Sequence, residues 1–127
     1  MFMNDTDTTL ATLREQFDDF VSERDWHQFH SPKNLAMALT IEAGELMEHF
    51  QWLTQDESRR INGSGDKLNA VSEEIADVLC YTIAIANQLQ IDLSQAFSRK
   101  MEKNRLKYPV ESYRGRFGDE DSRPVSE

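Results

Sequence analysis

Two pairs of acidic residues have a spacing that suits metal chemistry. Glu42 and Glu45 are three residues apart, and so are Glu74 and Asp77. On a helix each pair projects from one face, about 60° apart around the axis. Glu42 falls inside an apolar stripe, and Glu74 and Asp77 flank another. Carboxylates that face a bundle interior repel one another and lose hydration, which an oxygen-preferring cation corrects. The four acids are therefore the predicted ligands of a divalent metal, Mg²⁺ or Mn²⁺, between two helices.

Two other interpretations of these acids fit the sequence less well. Most acids on helices belong to a solvated face, which accounts for Glu48, Glu57 and Glu73 but poorly for Glu42 within its apolar stripe. A di-iron carboxylate bundle uses Glu-x-x-His on two helices, and that motif does not occur in the sequence. An oxygen-only ligand set favours Mg²⁺ or Mn²⁺ over iron or zinc.

The most basic stretch of the chain lies at residues 100–107. Its basic and amide side chains are Lys100, Lys103, Asn104, Arg105 and Lys107. Cations at this place could simply balance the C-terminal end of a helix. Opposite an acidic metal site, however, Lys and Asn side chains are suited to holding a polyphosphate.

Aromatic and imidazole groups are concentrated at residues 24–30. Trp26, Phe29 and the later Trp52 could be core residues or a platform on which a base stacks. His27 and His30 are left open between a structural role and contact with a ligand.

Helical periodicity predicts four main helices and an all-α, four-helix-bundle-like fold. Their expected ranges are 8–25, 32–53, 66–90 and 92–108, with a short helical turn within 57–61. The predicted N-terminal caps are Asp7 or Thr8, Ser31, Asp66 and Asp92. The third helix is apolar almost all round beyond Asp77, which predicts an oligomer interface as well as a core.

Length and charge limit the function further. The 127 residues fit a single domain with a net charge of −9, which argues against binding a nucleic acid polymer. The uncharged run 78–91 is shorter than the roughly 20 residues that a membrane span needs. The N-terminus shows no signal-peptide pattern, so a cytoplasmic location is predicted.

Four stretches of the sequence resemble a known enzyme family. The motif Glu42-x-x-Glu45 followed by Glu74-x-x-Asp77 resembles the metal-binding signature of MazG-like all-α nucleoside triphosphate pyrophosphohydrolases. Longer stretches resemble the dCTP pyrophosphatase branch: Arg24-Asp25-Trp26-x-Gln28-Phe29-His30-x-Pro32-x-Asn34-Leu35, Glu42-Ala43-Gly44-Glu45-Leu46-x-Glu48-x-Phe50-Gln51-Trp52 and Lys100-Met101-x-x-Asn104-Arg105-x-x-Tyr108-Pro109.

The resemblance implies Mg²⁺-dependent hydrolysis of a nucleoside triphosphate, dCTP or a modified dCTP, to monophosphate and pyrophosphate. Such an activity would clear the nucleotide pool of unwanted nucleotides. Carried over by position, the metal ligands would be Glu42, Glu45, Glu74 and Asp77. Trp26 and Trp52 would enclose the base, with His30 nearby, and Tyr81, one turn beyond Asp77, would face the substrate pocket. The triphosphate would be held by Lys100 and Asn104, with Arg105 and Tyr108 close by.

The resemblance also implies a homodimer or a dimer of dimers. It assigns residues 1–110 to the pyrophosphohydrolase domain and leaves 111–127 as a polar, loosely ordered tail. Relatives carry a polar residue in the first helix where this chain has Phe17, which leaves base selectivity open. The alternatives are the same fold acting on dUTP or several nucleotides, and a non-catalytic helical module that binds metal or nucleotide.

Overall fold

The computed structural model describes residues 2–127, which form six α-helices and two 3₁₀ turns and contain no strand. The helices are α1 (Leu10–Ser22), α2 (Pro32–Glu48), α3 (Gln55–Arg59), α4 (Gly65–Gln88), α5 (Leu93–Lys107) and α6 (Val110–Tyr113). The 3₁₀ turns are Trp26–Phe29 and Ile61–Gly63. The all-α prediction is confirmed, and α1, α2, α4 and α5 correspond to the four predicted helices.

Two of the predicted helix caps are confirmed and two are wrong. The Ser31 hydroxyl accepts a hydrogen bond from the Asn34 N–H at 3.2 Å, and Asp92 caps α5 in the same way. Helix α1 is capped by Thr9 instead of Asp7 or Thr8. Asp66 lies inside the first turn of α4, where its charge still interacts favourably with the helix dipole.

Helices α1 and α2 end earlier than the periodicity predicted. Asp25 adopts the left-handed conformation with φ 52°, which an α-helix cannot continue through. After Glu48 the backbone tightens into i→i−3 hydrogen bonds, for example from the Phe50 N–H to the Met47 carbonyl. The apolar residues up to Leu53 therefore follow α2 in turns and do not extend it.

Helix α4 is the central element of the first compact unit, Met1–Gln90. Helix α2 packs most extensively against α4, and α1 also lies on it. The core between them is formed by small and branched apolar side chains, chiefly Val21, Leu35, Val71, Ile83, Ala84 and Ala86. A side-chain hydrogen bond of 2.8 Å from Arg14 to Asn87 also joins α1 to α4. These contacts fix the faces of α1, α2 and α4 that carry the candidate site.

The second compact unit, Ile91–Glu127, contains α5, α6 and the C-terminal segment. Asp121 is buried there and accepts hydrogen bonds from the Phe117 N–H at 2.7 Å and the Arg123 guanidinium at 2.6 Å. These bonds hold the pKa of Asp121 well below its usual range. These hydrogen bonds give residues 117–123 local structure. The predicted domain boundary at residue 110 stays a prediction.

No helix within residues 2–127 combines the length and apolar character needed to cross a membrane.

Candidate active site

Three of the four predicted ligands come together where α2 faces α4. Glu42 and Glu45 project from α2 and Glu74 from α4, and one carboxylate oxygen of each lies within 4.8 Å of the others. Asp77 is on α4, three residues beyond Glu74, and stands outside this group of oxygens. We refer to Glu42, Glu45 and Glu74 as the acidic cluster.

The acidic cluster brings negative charges close together in a partly buried place. Burial raises the pKa of Glu42 to about 7, assisted by a hydrogen bond with Glu45 and by the negative charges of Glu45, Asp77 and Glu74. Within residues 2–127, Oε2 of Glu42 and Oε2 of Glu74 are buried side-chain oxygens without a hydrogen-bond partner. Buried carboxylate oxygens normally have partners, and hard cations such as Mg²⁺ take oxygen ligands of this kind. The residues present therefore fit a divalent metal.

A cavity of about 480 Å³ lies beside the acidic cluster in the same unit. Its walls come from α1, α4 and the first 3₁₀ turn, and its lining residues include Leu13, Phe17, Phe20, Trp26, Leu79 and Ile83. Phe20 stacks on Phe17 at 6.2 Å between ring centroids and meets Trp26 edge-on at 5.7 Å. The cavity thus has an aromatic wall, which suits a flat, partly apolar ligand.

The cavity also has polar lining residues. Gln16 lines it from α1, Asp77 and Tyr81 line it from α4, and His30 lines it from the end of the 3₁₀ turn. Burial, followed by the charges of Glu42 and Asp77, raises the pKa of Tyr81. Burial, together with nearby His27, lowers the pKa of His30. Because Asp77 lines the cavity and its charge also acts on Glu42, it connects the cavity with the acidic cluster.

His27 anchors the 3₁₀ turn that carries Trp26. Its Nε2 lies 2.9 Å from the Ser22 hydroxyl and 3.4 Å from an Asp18 carboxylate oxygen, both on α1. Its Nδ1 lies 3.3 Å from the Gln88 amide nitrogen on α4. These contacts give His27 a structural role, because they join the 3₁₀ turn to α1 and to α4.

The remaining predicted site residues lie elsewhere. Trp52 follows α2, is 88% exposed and is not among the residues that line the cavity. Lys100, Asn104 and Arg105 are on α5 in the second unit, with Asn104 half-buried. Tyr108 ends α5 and packs edge-on against Tyr113 at 5.1 Å. Their roles in holding a nucleotide stay predictions.

Sequence reasoning missed some residues of the site. Leu13 and Phe20 of α1 line the cavity but are not among the predicted site residues. The helical spacing of Leu13, Phe17 and Phe20 predicts only an apolar face. His49 is not among the predicted site residues either, yet its Nε2 lies 3.7 Å from Oε1 of Glu74. Its position seven residues after Glu42 was the available signal, since that spacing returns to the same helix face.

Comparison with known proteins finds relatives that match most of the chain. Residues 37–116 match the MazG-like family. The chain is 42% identical over 114 residues to dCTP pyrophosphatase 1 of Bos taurus, covering 90% of this chain and 68% of that protein. Its identity to the Homo sapiens dCTP pyrophosphatase 1 is 44% over 102 residues, covering 80% of this chain and 60% of that protein.

The chain therefore spans 68% of the length of the Bos taurus relative and 60% of the length of the Homo sapiens relative. A solved structure of a pyrophosphatase from Archaeoglobus fulgidus superimposes with a TM-score of 0.72 at 36% identity, covering 85% of this chain and 99% of that chain. The matched residues include the whole acidic cluster and α4. The chain belongs to the MazG-like family.

Proposed function

We propose that this protein is a Mg²⁺-dependent nucleoside triphosphate pyrophosphohydrolase that converts dCTP, or a modified dCTP, to the monophosphate and pyrophosphate. The observation that carries the proposal is the acidic cluster with its two buried, unpartnered oxygens on Glu42 and Glu74. The relatives named dCTP pyrophosphatase 1 support the choice of dCTP.

The acidic cluster would hold the metal, with Asp77 as the fourth carboxylate on the cavity side. Bound there, Mg²⁺ or Mn²⁺ supplies positive charge that neutralises the phosphates and favours attack of water on the α-phosphorus. Glu45 is exposed within the cluster and Glu48 is exposed at the end of α2. Either carboxylate could accept the proton of the attacking water, as could another acid of the cluster.

The aromatic cavity would hold the base and the sugar. Trp26 and Phe20 present ring faces and edges to a flat ligand, and His30 and Tyr81 add polar groups. Because Asp77 lines this cavity and its charge acts on Glu42, a nucleoside seated there would lie near the acids. This arrangement supports a nucleotide substrate, whereas the choice among bases rests on the relatives.

The phosphates would be held by Lys100 and Asn104, with Arg105 and Tyr108 nearby, and Trp52 would help to enclose the base. Support for these roles comes from the motifs that the chain has in common with the family. The net charge of −9 means that an acidic substrate needs such cations and a metal in order to bind.

We also propose a homodimer or a dimer of dimers in the cytoplasm. Met37, Ile41 and Ile75 on α2 and α4 are each more than half exposed in the single chain. Met37 and Ile41 are four residues apart on one face of α2, and exposed apolar side chains that form a patch commonly mark an interface between protein chains. A second copy covering them would be the simplest partner.

The experiment is pyrophosphate release from a panel of nucleoside triphosphates, measured with Mg²⁺ and with EDTA. We expect dCMP and pyrophosphate from dCTP only when metal is present. The matched variants are Glu42→Gln, which removes a predicted ligand, and Glu73→Gln, which removes an exposed carboxylate of α4. The first should be inactive and the second should keep its activity.

The other outcomes separate the alternatives. Orthophosphate in place of pyrophosphate would move the cleavage to another bond and refute the proposal. Faster turnover of dUTP or of several nucleotides would keep the reaction and correct the substrate. Metal-dependent nucleotide binding without any product would make the protein a non-catalytic binding module.

A further inference from the structure

His49 and Glu74 form a contact between the end of α2 and the face of α4. The His49 Nε2 lies 3.7 Å from Oε1 of Glu74, and their side chains are 28% and 21% exposed. Among residues 2–127, the second oxygen of the same carboxylate, Oε2, is buried without a hydrogen-bond partner. The two oxygens of Glu74 therefore have different surroundings, since one lies beside an imidazole and the other is buried and unpartnered.

We infer that His49 is a positioning residue that holds Glu74 by Oε1 and so leaves Oε2 aimed at a divalent cation. The inference rests on the metal site of the proposed function. It adds a residue that is neither one of the four acids nor a wall of the cavity.

The local backbone explains why this imidazole reaches α4. Helix α2 ends at Glu48. The His49 N–H still donates a hydrogen bond to the Leu46 carbonyl at 3.3 Å, so the backbone turns almost as it does in the helix. His49 thus keeps a nearly helical position, seven residues after Glu42 and four after Glu45. Residues at these spacings lie along one helix face, so the side chain points toward the same side of α2 as the cluster acids.

The physical effect expected is orientation of a ligand. At 3.7 Å the contact is longer than a hydrogen bond, and it places the Nε2 of His49 beside Oε1 of Glu74. A carboxylate fixed in this way loses less conformational freedom when it binds a cation. Loss of such an outer partner typically weakens metal affinity by about 10–100-fold.

The test measures Mn²⁺ binding to the whole chain by electron paramagnetic resonance, without any nucleotide. His49→Leu removes the donor, and His49→Asn keeps polarity but shortens the reach. His49→Gln restores a donor at similar length. We expect both His49→Leu and His49→Asn to weaken Mn²⁺ binding about 10–100-fold, and His49→Gln to recover most of it. Melting in EDTA identifies any variant that fails to fold, in which case the remaining two decide.

A double-mutant cycle with Glu74→Gln separates positioning from direct ligation. If His49 acts through Glu74, adding His49→Leu to the Glu74→Gln chain should change Mn²⁺ affinity no further. A further loss of the same size would make His49 a metal ligand itself and overturn the inference. Unchanged affinity in both His49→Leu and His49→Asn would also overturn it.

A failure of the proposed function can be distinguished from a failure of the proposed role of His49. A chain that binds Mn²⁺ with the expected His49 dependence but hydrolyses no nucleotide would refute the proposed function and support the role of His49. An active enzyme whose Mn²⁺ affinity does not change in the His49 variants would support the proposed function and refute the role of His49.

Discussion

Replacing Glu42 by glutamine should inactivate the enzyme and yet stabilise the metal-free fold at alkaline pH. Burial and the neighbouring acids raise the pKa of Glu42 from 4.5 to about 7. Its ionised form is therefore less favourable in the folded chain than in the unfolded chain. Glutamine mimics the protonated carboxyl group, because its amide can donate to Glu45 as the protonated acid does.

The sign and size of the effect follow from the pKa of Glu42. A group whose pKa is raised on folding contributes its full stability below the unfolded value of 4.5 and loses it as the pH rises through about 7. At a pH above both pKa values, a pKa shift of this size lowers the free energy of unfolding by about 3 kcal/mol. Partial hydration of this half-buried site reduces it to about 1–2 kcal/mol. At pH 8 the Glu42→Gln chain should be more stable by that amount, which is about 4–8 °C in melting temperature.

The assay is thermal unfolding followed by circular dichroism, in EDTA and in Mg²⁺, at pH 5 and pH 8. The gain should be large at pH 8 and small at pH 5, where wild-type Glu42 is already mostly protonated. Mg²⁺ should raise the melting temperature of the wild type and have little effect on Glu42→Gln. Glu73→Gln is the control, because it removes one negative charge from an exposed position on α4. Equal or lower stability of Glu42→Gln at pH 8 in EDTA would refute the reasoning.

Three further outcomes are expected. Trp26→Ala should raise the KM for dCTP about tenfold with kcat nearly unchanged, because one ring of the cavity wall is lost; steady-state kinetics checks this, and a loss confined to kcat would contradict it. Leu35→Ala should destabilise the fold by about 2–5 kcal/mol in urea denaturation, since this side chain is 2% exposed between α2 and α4; a loss below about 1 kcal/mol would contradict the packing. Asp121→Asn should lower the melting temperature at pH 7, because it weakens the bonds from Arg123 and Phe117; an unchanged melting curve would show that these bonds do not stabilise the chain.

Local interactions are the part of this fold that could be predicted from the sequence. The Ser31 and Asp92 caps and the four long helices depend on groups only three or four residues apart, so the sequence pattern contains what is needed. The same holds for the acid pairs, since Glu42 and Glu45 share a face whatever α2 packs against. Helix ends were predicted less well. The left-handed Asp25 and the tight turns after Glu48 interrupt apolar patterns that continue beyond them.

The relation between helices required the tertiary structure. No spacing along the chain reports that Glu74 approaches Glu42 and Glu45 while Asp77 lies toward the cavity, or that His49 reaches Glu74. The cavity itself exists because α1 and the turn at Trp26 stand against α4. In the sequence those residues could not be told from ordinary core. Spacing fixes which side chains share a face of one helix, whereas packing decides which faces meet, and the candidate site is formed where two faces meet.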